Sequence, residues 1–352
     1  ISSPAPVTIT PKVTLAIAPS SIPEPTVMPG PTASQRPTPT APPSIEIFGQ
    51  VDRDVTYCNA GAVALKMDIY YPLKVTNRPA PVALNVHGGS WSGGDKRSSE
   101  TMSDIPELLK RGYLVAAVNY RLAPEYKFPA QIQDVKCAVR YLRTRAVKYK
   151  LDPNRIGAWG CSAGGKLAAL LGLTDGIAEF EGREDYIGQS SRVQAVVAMS
   201  APADFTLTSY NSTHDRVFEH VFGATSNTDP ILTHFSPVTY VSKNAPPFLI
   251  LGGDLDATVP LQQSEELARR LIQAGGTADL EIVNYAHHCM PDASPPMEPS
   301  REEITRLIAN FFDQTLGPPL SGENPNGVGR ETFPPFIRDI QGDLRSRDVA
   351  HR

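Results

Sequence analysis

The chain has 352 residues, 41% of them hydrophobic and 20% charged, with a formal net charge of −4. That length accommodates one large domain or two modest ones. The balanced charge, with no Lys/Arg block, argues against a nucleic-acid partner, and no apolar run approaches the roughly 20 residues of a membrane-spanning helix.

The first segment, residues 1–44, holds 12 of the 34 prolines and only three charged residues, Lys12, Glu24 and Arg36. It cannot bury enough apolar surface to offset its ordering entropy and is expected to be an extended, disordered tether. A Pro/Thr/Ser tether of this kind points to an exported protein, extracellular or attached to the cell envelope, with the signal segment outside this chain. Residues 45–317 are expected to form the main folded domain, and residues 318–352 a polar extension of unassigned role.

Within the domain, Val55 to Tyr71 alternates around Asn59-Ala60-Gly61 and reads as a hairpin. Pro81 to Val86 is an apolar strand ending at His87-Gly88-Gly89, and Tyr113 to Val118 is another. Pro129 to about Lys148 has helical spacing, with Ile132, Val135, Val139 and Leu142 on one face. A short strand, Arg155 to Trp159, leads into Gly160-Cys161-Ser162-Ala163-Gly164, and a helix follows from Ala163 to Leu173. Val193 to Met199 and Pro247 to Leu251 are strands, and Leu261 to Ala274 is a helix closed by Gly275-Gly276. Leu280 to Tyr285 is the last strand, and Ser300-Arg301-Glu302-Glu303 is a capping box opening a helix to about Leu316. Strands alternating with helices predict an α/β fold with a mostly parallel central sheet and helices on both faces. Pro202 to Ala245 lacks periodicity and is expected to be an excursion above the sheet, not a large lid.

The four cysteines, Cys58, Cys137, Cys161 and Cys289, have no C-x-x-C spacing, so no metal site is expected. They read as buried free thiols.

Ser162 stands between a strand and a helix, flanked by glycines that allow a tight turn. This is the context of a nucleophile elbow. A serine hydroxyl needs a base, and in this architecture acid and histidine follow the serine in chain order. Asp254-Leu255-Asp256 and Ala286-His287-His288-Cys289 each follow a strand. Loops at the carboxyl ends of parallel strands gather at one edge, so these groups can converge. Asp256 is the chosen acid because it leads into the next helix, with Asp254 fixing the turn. His288 is the chosen base, with His287 as its neighbour. Backbone N–H groups of the loop Gly88, Gly89 and Ser90, together with Ala163, are expected to form the oxyanion hole. His87 would hold that loop by hydrogen bonding, and Trp91 is the candidate substrate-binding residue.

Elbow, oxyanion loop and ordered acid–histidine pair together resemble the α/β-hydrolase superfamily, and most of all its esterase/lipase branch with an HGG oxyanion loop. That branch includes carboxylesterases and feruloyl-esterase-like proteins. Asn119-Tyr120-Arg121-Leu122-Ala123-Pro124 and Phe128-Pro129-Ala130 with Asp134 add to the likeness, which covers about Val51 to Leu316. The resemblance implies structural roles for Arg121 and Asp134. It differs at Ser90, where hormone-sensitive-lipase-like enzymes have a third glycine, at Cys289, where glycine is frequent, and in lacking an N-terminal helical cap. The resemblance implies a serine carboxylic-ester hydrolase for short-acyl or aryl esters, working through Ser162, His288 and Asp256 without a cofactor. The substrate would be a small-molecule or polysaccharide-linked ester; the oligomeric state is left open. The alternatives are an amidase or arylformamidase-like hydrolase with the same triad and a non-enzymatic binding module. Activity is expected to fall in acid as the imidazole base gains a proton. Asn211-Ser212-Thr213 is a glycosylation sequon.

Overall fold

The computed structural model describes residues 48–317, apart from 75–76, 98, 184 and 208–214. The expected tether over 1–44, the extension over 318–352 and the Asn211 sequon lie outside the described residues.

Eight strands form one sheet in the order β1-β2-β4-β3-β5-β6-β7-β8. They are β1 Val51–Ala60, β2 Val63–Tyr70, β3 Ala80–Val86, β4 Leu114–Val118, β5 Leu151–Cys161, β6 Ala195–Met199, β7 Phe248–Gly253 and β8 Ala278–Val283. β1 and β2 form the expected hairpin, and β2 pairs antiparallel with β4. From β4 onward every pair is parallel. The principal helices are α1 Ile105–Lys110, α2 Ala130–Thr144, α3 Ala163–Leu173, α4 Gln262–Gln273 and α5 Arg301–Leu316.

Side-chain alternation along the strands divides the core between two faces. Val82, Leu84 and Val86 of β3, with Ile156 and Ala158 of β5, pack with α2, α3 and α4. Ala83, Trp159, Cys161, Val197 and Met199 point the other way, toward α1 and α5. The capping box forms as read: Ser300 Oγ accepts from the Glu303 N–H, and the Glu303 carboxylate accepts from the Ser300 N–H at 2.8 Å. The single helix expected over Pro129 to Lys148 is two, because Arg145 leaves helical geometry at φ −101° and ψ 16°.

The excursion after β6 consists of short helical turns, among them Phe218–Phe222 and Pro230–His234. Phe205, Phe218, Phe222 and Phe235 from this segment are buried together. Phe218 and Phe222 share one turn, whereas Phe205 and Phe235 come from separate segments, so the set follows no single period.

The cysteine expectation is corrected. Cys58 pairs with Cys137 across 79 residues, and Cys161 with Cys289 across 128. Neither pairing has a local signature: the first ties β1 to α2, and the second ties the end of β5 to the loop after β8. Both are brought together by the sheet, which is why spacing along the chain did not disclose them.

Candidate active site

β5 ends at Cys161 and α3 begins at Ala163, so Ser162 alone makes the turn, at φ 57° and ψ −124°. Few non-glycine residues hold such a backbone, and it persists only when the surroundings over-determine it. Here the Ser162 N–H donates to the Met199 carbonyl at 2.9 Å, and the Ser162 carbonyl accepts from Lys166 at 3.0 Å. A Cβ at Gly160 or Gly164 would run into the Val86 carbonyl, so both glycines are required by close approach to β3. The positive end of α3 lies under Ser162, where it favours developing negative charge.

Of the two aspartates and two histidines, the structure pairs Asp256 with His288. His288 Nδ1 lies 2.9 Å from Asp256 Oδ2 and 3.1 Å from Oδ1. Asp256 is buried, whereas Asp254 and His287 are exposed. Asp256 Oδ1 also accepts from the N–H groups of Thr258 at 3.0 Å and Val259 at 2.8 Å. Burial alone would push its pKa up. The hydrogen bonds from His288 and Val259, and the imidazole's charge, outweigh that and hold the carboxyl below its ordinary value. Since a carboxylate only accepts, Nδ1 is the donor in this pair and Nε2 is the nitrogen free for a reacting group. Among the described residues Ser162 Oγ makes no hydrogen bond to His288; such bonds are frequently loose before substrate arrives.

The loop after β3 runs through three successive positive φ angles, 104° at Gly89, 51° at Ser90 and 57° at Trp91. Gly88 sits against the elbow, where a Cβ would lie 3.1 Å from the Cys161 carbonyl and 3.5 Å from Ser162 Cβ. Among the described residues the N–H groups of Gly89 and Ser90 donate to no acceptor, and the Ala163 N–H heads α3. His87 holds the loop as expected: Nδ1 donates to the Gly88 carbonyl at 2.7 Å, and its ring stacks on Tyr120 at 4.2 Å. Burial keeps the His87 pKa below the ordinary imidazole value. Arg121 and Asp134 form a buried clamp, with Nη2 to Oδ1 at 2.6 Å and the Arg121 N–H to Oδ2 at 2.7 Å. Trp91, the candidate substrate-binding residue, is 1% exposed and packs edge-on against Phe222.

The BD-FAE family matches residues 67–271, which contain the His87–Trp91 loop, the turn at Ser162 and Asp256. The chain belongs to this family. "Esterase LipC" of Mycobacterium tuberculosis is 32% identical over 230 residues, 63% of this chain and 56% of the relative. "Probable carboxylic ester hydrolase LipM" of the same organism is 34% identical over 256 residues, 69% of this chain and 57% of the relative. This chain thus spans a little over half the length of these two relatives. A solved "truncated form of carbohydrate esterase from gut microbiota" matches with a TM-score of 0.68 at 28% identity, covering 78% of this chain and 99% of the other. The α/β-hydrolase fold and the mostly parallel sheet agree with these neighbours, and no large lid is evident among the described residues.

This BD-FAE member carries site features that sequence reasoning missed. Ser200, at φ 42° just after β6, contributes a hydrogen bond to Asp256 and accepts the Cys289 N–H at 3.3 Å. Glu100 carries a carboxylate oxygen 3.4 Å from where a Cβ on Gly88 would stand. Lys166, one turn after Ser162, is fully buried, and its Nζ has no hydrogen-bond partner. Instead it lies 4.0 Å from the ring centroid of Phe128, 4.5 Å from Phe222, 4.9 Å from Phe205 and 5.0 Å from Trp91. A glycine-rich elbow followed by an apolar helix left no signal for a lysine turned inward.

Proposed function

We propose that the chain is a serine carboxylic-ester hydrolase acting on short-acyl or aryl esters. The observation that carries this reading is the buried Asp256 bonded to His288 Nδ1, at the sheet edge where Ser162 is held at φ 57°.

In this reading His288 Nε2 removes the proton of Ser162 Oγ as the oxygen attacks the ester carbonyl carbon. Asp256 fixes the tautomer and stabilises the imidazolium. The N–H groups of Gly89, Ser90 and Ala163, with Gly88 shaping the turn, receive the tetrahedral oxyanion; loss of one such donor costs about 10²- to 10³-fold. The imidazolium returns its proton to the leaving alcohol, and water then releases the acyl group by the same route. The reaction calls for no metal or cofactor.

The names of the relatives support ester hydrolysis, and the carbohydrate esterase neighbour supports a polysaccharide-linked ester as substrate. Two disulfides favour an oxidising, exported location for the folded chain. No helix among the described residues is long and apolar enough to cross a membrane. The test is a substrate series: p-nitrophenyl esters from acetate to laurate, acetylated and feruloylated oligosaccharides, and N-formyl and N-acetyl anilides. Preference for short or aryl esters over anilides supports the reading. Preference for anilides transfers the assignment to an amidase.

A further inference from the structure

The Cys161–Cys289 bond joins the residue before Ser162 to the residue after His288. β5 and β8 are separated in the sheet by β6 and β7. Three strand spacings place their ends about 14 Å apart. The loop after β8 must therefore return across two strands to bring an imidazole near the elbow. Among the described residues its hydrogen bonds toward the elbow reach the loop after β7, through His288 to Asp256 and the Ala286 carbonyl to the Leu255 N–H, and Ser200 after β6, through the Cys289 N–H. The disulfide is a covalent link that reaches β5 itself, holding the two Cα atoms 5.7 Å apart.

The backbone around Cys289 points the same way. Cys289 and Met290 stand at φ 61° and 56°, in the left-handed region that favours glycine. A cysteine is kept there despite the steric cost, and its sulfur reaches the elbow. Cys161 is fully buried and Cys289 nearly so, both in the core layer beneath α5. The bridge is thus embedded in rigid packing and transmits the position of β5 to the histidine loop.

We propose that Cys161 and Cys289 are positioning residues, whose bond sets the separation of Ser162 and His288. This rests on the reading of that pair as nucleophile and base. The Cys58–Cys137 bridge lies on the opposite core face and serves as the internal control, since it closes a loop of similar order without touching the site.

The test compares the full chain with Cys161→Ala/Cys289→Ala and with Cys58→Ala/Cys137→Ala, each assayed well below its own Tm. The readouts are kcat and KM for p-nitrophenyl acetate, and the rate at which a fluorophosphonate labels Ser162, followed by mass spectrometry. A misplacement of about 1 Å costs on the order of 100-fold. The expected result is a kcat and a labelling rate lower by about that factor in the first variant, with KM changed less than about threefold. The control is expected to lose Tm but keep kcat and labelling. If the alanine pair does not fold, Cys161→Ser/Cys289→Ser takes its place. Equal kcat and labelling in the folded first variant and wild type would overturn the proposal, leaving the bridge a stabilising crosslink. A wild type that labels but turns over no ester refutes the substrate reading alone, and the labelling rates then decide the positioning role. A wild type that neither turns over ester nor labels overturns both.

Discussion

Asp256 Oδ2 lies 2.9 Å from His288 Nδ1, while Asp254, two residues earlier, is exposed to solvent. The same short loop therefore holds one carboxylate that can orient an imidazole and one that cannot. Asp256→Asn should lower kcat by about 10³- to 10⁴-fold, because an amide no longer selects the tautomer that leaves Nε2 free. Asp254→Asn should stay within about threefold. Steady-state kinetics on p-nitrophenyl acetate check both; similar losses in the two variants would reassign the acid.

Asp256 also links stability to pH. Its folded carboxyl lies below the ordinary 3.8, so its stabilising contribution is complete above that value. It is lost as pH falls from 3.8 through the lower folded value. Thermal melts of wild type and Asp256→Asn should therefore converge below about pH 4 and separate above it, a trend opposite in sign to that of a buried, raised carboxyl.

Lys166 gives a prediction in the other direction. Burial pushes its ammonium well below the ordinary 10.5, and no acceptor reaches Nζ. Four aromatic faces attract the cation, a contribution of about 2 kcal/mol when desolvated, against a burial penalty of several. Lys166→Met should thus raise stability by about 1–4 kcal/mol. The unfolded chain holds the proton more tightly, so wild-type stability should rise with pH toward 10.5 and the gap between the two proteins should narrow. A less stable methionine variant in urea unfolding would show that the aromatic cage outweighs desolvation.

Glu181 neutralises two buried cations, Lys136 Nζ at 2.6 Å and Arg140 Nη1 at 2.9 Å. Glu181→Gln should cost about 2–4 kcal/mol, because it strands charge in the interior. The exposed pair of Glu302 and Arg306, at 2.7 Å, makes the contrast: Glu302→Gln should change stability by less than about 1 kcal/mol. Equal effects in chemical denaturation would refute the distinction.

Gly164 packs where any Cβ would strike the Val86 and His87 carbonyls. Gly164→Ala should destabilise by about 1–3 kcal/mol by overpacking. It should also lower kcat by on the order of 100-fold, because the displaced groups carry the elbow and the oxyanion loop. Retained kcat at unchanged Tm would mean that the turn relaxes freely.

Much of the scaffold was legible because its signals are local. The strands β3, β4, β6 and β7 are nearly continuous apolar runs, and the glycines around Ser162 stand at fixed offsets from it. The serine, acid, histidine order needed only the chain. The choices between Asp254 and Asp256, and between His287 and His288, rested on the sequence around each; burial and distance favour Asp256 and His288. What escaped was tertiary. The pairing of Cys161 with Cys289 is set by strand order, and Ser200 matters only because β6 lies between the elbow and the acid loop. The depth at which Trp91 is buried was not legible either. Its burial depends on Phe205 and Phe222, which come from an aperiodic excursion over a hundred residues later.

The most direct test of the central claim is p-nitrophenyl acetate hydrolysis by wild type beside Ser162→Ala. Turnover in the wild type that falls by at least about 10³-fold in the variant, with an unchanged melt, is the predicted result. Equal turnover in both proteins, or none in the wild type, would contradict the assignment of Ser162 as the nucleophile of an ester hydrolase.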